Sequence, residues 1–271
     1  MTISTVFAAL DSTLELRTHA NLSQLIGHAY RDLVAPPGTT AQHTLEVGRL
    51  AGVGPWRESF DGAARIRRRH SADVLSDVRQ VFNEVAERSV AATHTVLNAS
   101  AIEIGGMVVV MIGGKTFGKS SLTLTAAQRG HGFVADDVVA ITDTGVVRPF
   151  HRPLGIRLEA APKLGVAVPP GPFEHGYPMA LGQTYRLSQG GPLGLIALIA
   201  PGDDTITEPV QPSWALMYLT EHAVRASGHE RAMFRRCETL VRKVPAIQLW
   251  HHDPARAIDH IEAAIARISQ E

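Results

Sequence analysis

The stretch "GGKTFGKSSLTLTAAQRGHGFVADDVVAIT" at 113–142 constrains this chain more than any other. Gly113, four residues, then Gly118, Lys119 and Ser120 meet a G-x-x-x-x-G-K-[ST] pattern. Each position has a reason: glycines let backbone N–H groups close round phosphate oxygens, the lysine neutralises them, and the hydroxyl can hold Mg²⁺. The apolar run "MVVVMI" leads into the loop and a helix-forming run leaves it, so free amides and a helix dipole would point at the bound phosphates. Two of the four lysines, Lys115 and Lys119, fall in this loop, in a chain whose other basic residues are nearly all arginine. A compact ammonium on a flexible stem suits phosphate, although Lys115 also reads as simply solvated. The expected nucleotide contacts are Gly113, Gly114, Lys115, Thr116, Phe117, Gly118, Lys119, Ser120 and Ser121. Asp136 and Asp137 end the next strand, and adjacent acids near a Mg²⁺–phosphate site can hold the metal and orient a nucleophile. The alternative is a turn with two solvated aspartates.

Composition is that of an ordinary globular chain. A length of 271 residues suits one α/β domain with an N-terminal elaboration as well as two small domains. Hydrophobic residues are 45%, and Lys+Arg equals Asp+Glu at 26 each, so a basic nucleic-acid surface is not expected. The single cysteine, Cys237, rules out an intramolecular disulfide and a Cys-rich metal site. The first residues have no basic region, and no apolar run reaches about 18 residues, so neither a signal peptide nor membrane association is expected. The expected compartment is the cytoplasm.

Along the chain, turns at 35–40 and 52–56 divide a short-stranded lead-in, residues 1–96. Within it, Val74, Leu75, Val78, Val81, Phe82, Val85 and Val90 recur at three- and four-residue steps and predict an amphipathic helix. Residues 97–271 form the expected nucleotide-binding domain. The run 95–114 reads as a hairpin turning at Gly105-Gly106, its second strand entering the loop. A helix from about Lys119 to Arg129 should end at Gly130, with strands at 133–136, 138–142 and 146–150. "PLGLIALIAP" at 192–201 reads as a buried strand, followed by helices near 212–226 and 229–242 and a strand at 246–250. A last helix starts at Pro254 with Asp253 as its N-cap. The class is α/β, or α+β with a mixed sheet.

The order of strand, phosphate loop, helix ending "RGH" and "ADD" across 97–142 resembles the HPr kinase/phosphorylase family. Weaker similarity in "IALIAP", "QPSWALMYL" and "VPAIQLWHHDP" points to its diverged members, some of which accompany modified-peptide biosynthesis. The resemblance implies a fold like that of phosphoenolpyruvate carboxykinase and ATP- and Mg²⁺-dependent phosphorylation of a hydroxyl. It gives Lys119 the β- and γ-phosphates, Ser120 the Mg²⁺, Asp137 the proton of the acceptor hydroxyl, and Asp136 the metal or the support of its neighbour. Three positions depart from the pattern. Asn98 stands where the family has a catalytic histidine, and an amide cannot take a proton. Thr116 replaces a third loop glycine, and Ser121 replaces a glutamate. The 96 residues before Leu97 are also fewer than the classical N-terminal domain, so HPr is not the expected substrate.

Downstream, His151, Arg152 and Arg157 could clamp substrate beside Asn98, with Glu159 as a second metal ligand, or could line a solvated segment. His251 and His252 read as a surface turn, because adjacent histidines point apart and no other metal-ligand spacing supports them. Arg65, Arg67, Arg68 and Arg69 read as a solvated run or a contact for an acidic peptide. Residues 166–183 read as a long loop, a candidate substrate lid. The expected function is a kinase for a hydroxyl on a peptide, a protein or a small intermediate. The alternative is a nucleotide-binding regulator with a degenerate catalytic site. Self-association is left open.

Overall fold

The computed structural model describes residues 2–49, 55–68, 70–171, 173 and 176–270. They fall into two compact units, Met1–Ser89 with Arg152–Ala180, and Val90–His151 with Leu181–Glu271. Residues 152–180 thus belong with the first unit, whereas the sequence alone groups everything after 96 together.

The first unit is built on a five-stranded sheet of β1 (Thr2–Ala9), β2 (Ser12–His19), β3 (His43–Arg49), β4 (Trp56–Phe60) and β5 (Ala63–Arg68), in that order. Helix α1 (Ala20–Ala29), which sequence periodicity did not pick out, packs on β1 and β2. Helix α2 (Ser71–Val90) forms where the apolar steps predict it, with Val74, Val78, Val81, Phe82, Val85 and Val90 all buried. Its Phe82 ring meets Phe7 edge-on at 5.3 Å and stacks on Tyr30 at 4.4 Å, which fixes the helix to the sheet. Part of the turn at 52–56, Arg69, and the side chains at 67 and 68 lie outside the described residues.

The second unit is a nine-stranded mixed sheet with helices. Its strands are β6 (Thr95–Leu97), β7 (Ser100–Ile104), β8 (Met107–Gly113), β9 (Gly132–Asp136), β10 (Val139–Ile141), β11 (Val146–Arg148), β14 (Gly191–Pro201), β15 (Ile206–Pro209) and β16 (Ala246–His251). The intervening β12 (Leu154–Ile156) and β13 (Tyr177–Met179) pair in the first unit, so the expected lid at 166–183 contains a strand; residues 172, 174 and 175 of it are not among those described. The sheet runs β6-β10-β11-β14-β8-β7-β9, with β16 beside β14 and β15 beside β16. The mixed α/β class expected from the sequence is the one observed.

Two features of this sheet position the site. The β7–β8 hairpin turns on Gly105 and Gly106 at φ 59° and 83°, a pair of left-handed residues that glycine adopts without steric cost. Strands β8, β14 and β16 run parallel, with Gly113 opposite Ile199 and Pro201 opposite His251. Their C-terminal ends therefore meet at one edge, the place where open α/β sheets collect their ligands. Helices α3 (Lys119–Gln128) and α6 (Pro254–Ile268) share the core beneath, where Leu122, Ala126, Ile258, Ile261 and Ile265 pack with Ile102, Val109, Met111, Ile199 and Leu249. Each of the larger of these side chains, fully buried, contributes about 1.5–3 kcal/mol, so the segment that carries the loop is anchored on both sides. Asp253 caps α6 as predicted, accepting from the Ala255 N–H at 2.8 Å. Helices α4 (Pro212–His222) and α5 (Glu230–Lys243) complete the unit. Among the described residues, no helix is long and apolar enough to cross a membrane.

Candidate functional site

The glycine pattern of the loop is required by close approach. A Cβ on Gly113 would lie 2.5 Å from the Ile199 carbonyl oxygen, and one on Gly118 would lie 2.9 Å from Cε1 of His251. Gly118 sits at φ 87° as the N-cap of α3, and no side chain caps the helix there. The first amides of α3 are thus left for a ligand or water, the condition under which a helix N-terminus receives an anion. Thr116 also has a positive φ, 83°. This is the position where the resemblance expects glycine, and a β-branched residue there is a steric outlier costing about 1–3 kcal/mol. Lys115 and Thr116 are exposed, while Phe117 folds back against Gly114 and packs on the core.

Lys119 and Ser120 open the helix. The Lys119 ammonium donates to the carbonyl oxygens of Gly113 at 2.7 Å and Gly114 at 3.1 Å, reaching back along the loop. Burial lowers its pKa from the ordinary lysine value, and the charges of Asp136 and Asp137 act against that shift. Both acids are therefore close enough to Lys119 to be felt electrostatically. The Ser120 hydroxyl donates to Asp136, 3.3 and 3.2 Å from its two carboxylate oxygens.

Strand register explains how Asp136, sixteen residues downstream of Ser120, comes back to it. Ser100 of β7 is paired on one side with Met111 of β8 and on the other with Asp136 of β9. Asp136 is 1% exposed, and the wholly buried Ser100 hydroxyl also donates to Oδ1 of its carboxylate. Asp137 departs from the strand at φ 64°. Alternation along an extended strand would send the two acids to opposite faces. The left-handed residue breaks that alternation, and Asp137 is half-buried where its neighbour is enclosed. Asn98 is near the same turn, because Leu97 pairs with Val139 and Ser100 with Asp136. Its side chain is exposed, and its N–H donates to the His222 carbonyl at 2.9 Å. Ser121 is half-buried on the first turn of α3.

His151 follows Phe150, which bridges Ala135, yet its ring packs on Phe133 at 5.9 Å and its Nε2 lies 2.8 Å from the Ser188 carbonyl oxygen. Phe133 lies in β9 three residues before Asp136, and the Ser188 N–H donates to its carbonyl at 2.8 Å. Arg152 and Arg157 belong to the first unit, where Arg152 is 1% exposed and Arg157 faces Glu159 at 3.7 Å. Among the described residues, no cluster of three or more His, Cys, Asp or Glu is arranged to hold a metal ion.

Sequence reasoning missed two residues. Ser100 was legible as a polar residue in an apolar strand two positions after Asn98. His251, read from sequence as part of a surface turn, is instead buried: it is 7% exposed and its Nε2 lies 3.1 Å from the Phe117 carbonyl oxygen. It ends the buried strand β16, and inward-facing positions on such a strand are enclosed whatever the residue type. His252, the next residue, is exposed.

Known proteins can be set beside this geometry. No protein-family model matches the chain. Over 48 residues the chain is 44% identical to the HPr kinase/phosphorylase of Chlorobium phaeovibrioides, a match covering 18% of this chain and 14% of that protein's own length. Over that segment the chain is HPr kinase-like. Among solved structures, the HPr(Ser) kinase/phosphatase from Coxiella burnetii aligns over 65% of this chain and 97% of its own, with a TM-score of 0.37 and 13% identity.

Proposed function

We propose that the second unit binds a nucleoside triphosphate, ATP being the expected donor, with Mg²⁺ at 113–121, and transfers the γ-phosphoryl group to a hydroxyl. The acceptor would be a serine of a peptide or protein, or an alcohol of a small intermediate. The observation that supports this best is the convergence of Lys119, the Ser120–Asp136 pair and Asp137 at the ends of β8 and β9, two strands that are not neighbours in the sheet. The sequence relationship to an HPr kinase/phosphorylase agrees with it.

The residues present fit the implied group. Gly113 and Gly118 keep side chains out of the loop, the start of α3 lacks a side-chain cap, and a serine hydroxyl meets a buried carboxylate. Ser120 and Asp136 would hold Mg²⁺, a hard cation that prefers few protein oxygens alongside phosphate and water. The metal supplies charge neutralisation on the phosphate oxygens. Lys119 and the α3 amides bind and orient the phosphates. Ser100 holds the Asp136 carboxylate in one orientation. Asp137, turned out of the strand, accepts the proton of the acceptor hydroxyl as it attacks, the role of a positioned base. Because Asn98 cannot supply a second acid–base group, phosphate-driven release of the product phosphoryl group should be negligible against the forward reaction.

A second reading, a nucleotide-binding regulator without turnover, draws on Asn98 and on the strained Thr116. One series separates the two. Mg²⁺·ATP should raise the thermal midpoint of the native protein by mass action, and Lys119→Ala should remove the shift. Retention of the full shift by Lys119→Ala excludes this loop as the site. Binding without any phosphoryl transfer, across peptide and alcohol acceptors, leaves the regulator.

A further inference from the structure

One buried polar side chain beside the loop has no part in the chemistry above. His251 ends β16, two strands from β8, and reaches the loop from the side opposite the acids. Its Nε2 lies 3.1 Å from the Phe117 carbonyl oxygen, which can only accept, so the ring carries its proton on Nε2 and donates it there. The ring also occupies the space next to the Gly118 Cα, where an added Cβ would come within 2.9 Å of Cε1 and 3.2 Å of Nε2. The imidazole thus touches the two residues that turn the loop into α3. Burial holds its pKa below the ordinary histidine value, opposed by the hydrogen bond to Phe117 and the Asp253 charge and assisted by His252.

The other nitrogen points the same way. Among the described residues, the buried Nδ1 meets no hydrogen-bond partner. Extending the β15–β16 ladder one residue beyond the Ile206–Trp250 pair sets Thr205 opposite His251. The Thr205 hydroxyl is likewise buried without a partner, so a donor and a bare acceptor occupy adjoining positions, a match that one water or a small rotation would close. Apolar side chains would fill these places at lower cost if packing were the only demand. Here His251 stands at the end of β16, beside the loop that follows β8.

We infer that His251 is a positioning residue for the nucleotide loop: its Nε2–H holds the Phe117 carbonyl and its ring fixes the left-handed turn at Gly118, so that the amides opening α3 stay aimed at one phosphate. This rests on the nucleotide reading given above. The role is one of hydrogen bonding and shape together, with no proton transferred to substrate.

Titration calorimetry with Mg²⁺·ADP, on the native protein, Lys119→Ala, His251→Gln, His251→Leu and His251→Ala, tests it. Native protein should bind and Lys119→Ala should not. His251→Ala and His251→Leu should weaken binding at least tenfold. His251→Gln, whose side-chain amide can donate at the same reach, should return affinity to within about threefold of native. If leucine serves as well as glutamine, His251 only fills space and the inference fails. It fails equally if alanine binds like the native protein. Native protein that does not bind, or Lys119→Ala that binds as tightly, overturns the nucleotide reading instead. Should the variants not fold, ¹⁵N spectra of the native imidazole decide: the neutral Nε2–H tautomer at pH 7 is required, and a neutral Nδ1–H ring or a charged ring there overturns the assignment.

Discussion

The loop after β8 is held from two flanks that differ in chemistry. On the side of β7 and β9 stand Ser100, Asp136 and Asp137, with two hydroxyls donating to one enclosed carboxylate. On the side of β14 and β16 stand the Ile199 backbone, against which only glycine fits at 113, and the buried imidazole of His251. The first flank supplies charge and the hydroxyl and carboxylate oxygens of Ser100, Ser120, Asp136 and Asp137. The second supplies shape. The proposed phosphate site needs both, because backbone amides bind an anion strongly only when something else keeps them converged.

Substitutions on the two flanks should therefore fail in different ways. The largest effect belongs to Asp137→Asn, expected to lower turnover at least a hundredfold while Mg²⁺·ATP affinity stays within about tenfold, as for loss of a positioned base. Near-normal turnover in steady-state assays would remove Asp137 from that role and strengthen the regulator. Asp136→Asn should instead weaken metal-dependent nucleotide binding more than Asp137→Asn does, measured as the difference in affinity with and without Mg²⁺. If the two variants lose affinity equally, the two acids do not have separate roles.

On the shape flank the expected effects are on stability first. Gly113→Ala forces a Cβ against the Ile199 carbonyl, where backbone rather than a flexible side chain must move. Overpacking of this kind costs about 1–3 kcal/mol, readable as a lower denaturation midpoint without nucleotide; an unchanged midpoint would mean that β8 and β14 can part freely. Thr116→Gly should have the smallest effect and the opposite sign. It relieves about 1–3 kcal/mol of left-handed strain and returns about 0.5–1 kcal/mol to the unfolded chain, for a net gain of about 0–2.5 kcal/mol. A loss of stability would show that the threonine is held there by contacts worth more than its strain.

Much of this was legible because the relevant physics is local. The α2 stripe, the Gly105-Gly106 hairpin, the Asp253 cap and the α3 start each depend on residues within a few positions of one another. So does the loop between β8 and α3, whose glycines, lysine and serine stand at fixed spacing. Misreadings came where distance in sequence hid proximity in space. His252 behaves as the surface turn predicts, yet His251 beside it is enclosed because β16 lies against β14 and carries it to the loop.

The sequence by itself determined the glycine loop, its helix and the acids at a strand end, because glycine conformation, helix dipoles and side-chain charge are properties of short segments. Only the tertiary structure decided that Ser120 and Ser100 share one carboxylate, that Asp137 leaves the strand in a left-handed turn, and that the His251 ring lies against Gly118. Those facts follow from strand register and sheet order, which pair residues dozens or more than a hundred positions apart. Burial of the whole sheet fixes that pairing, and no local pattern encodes it.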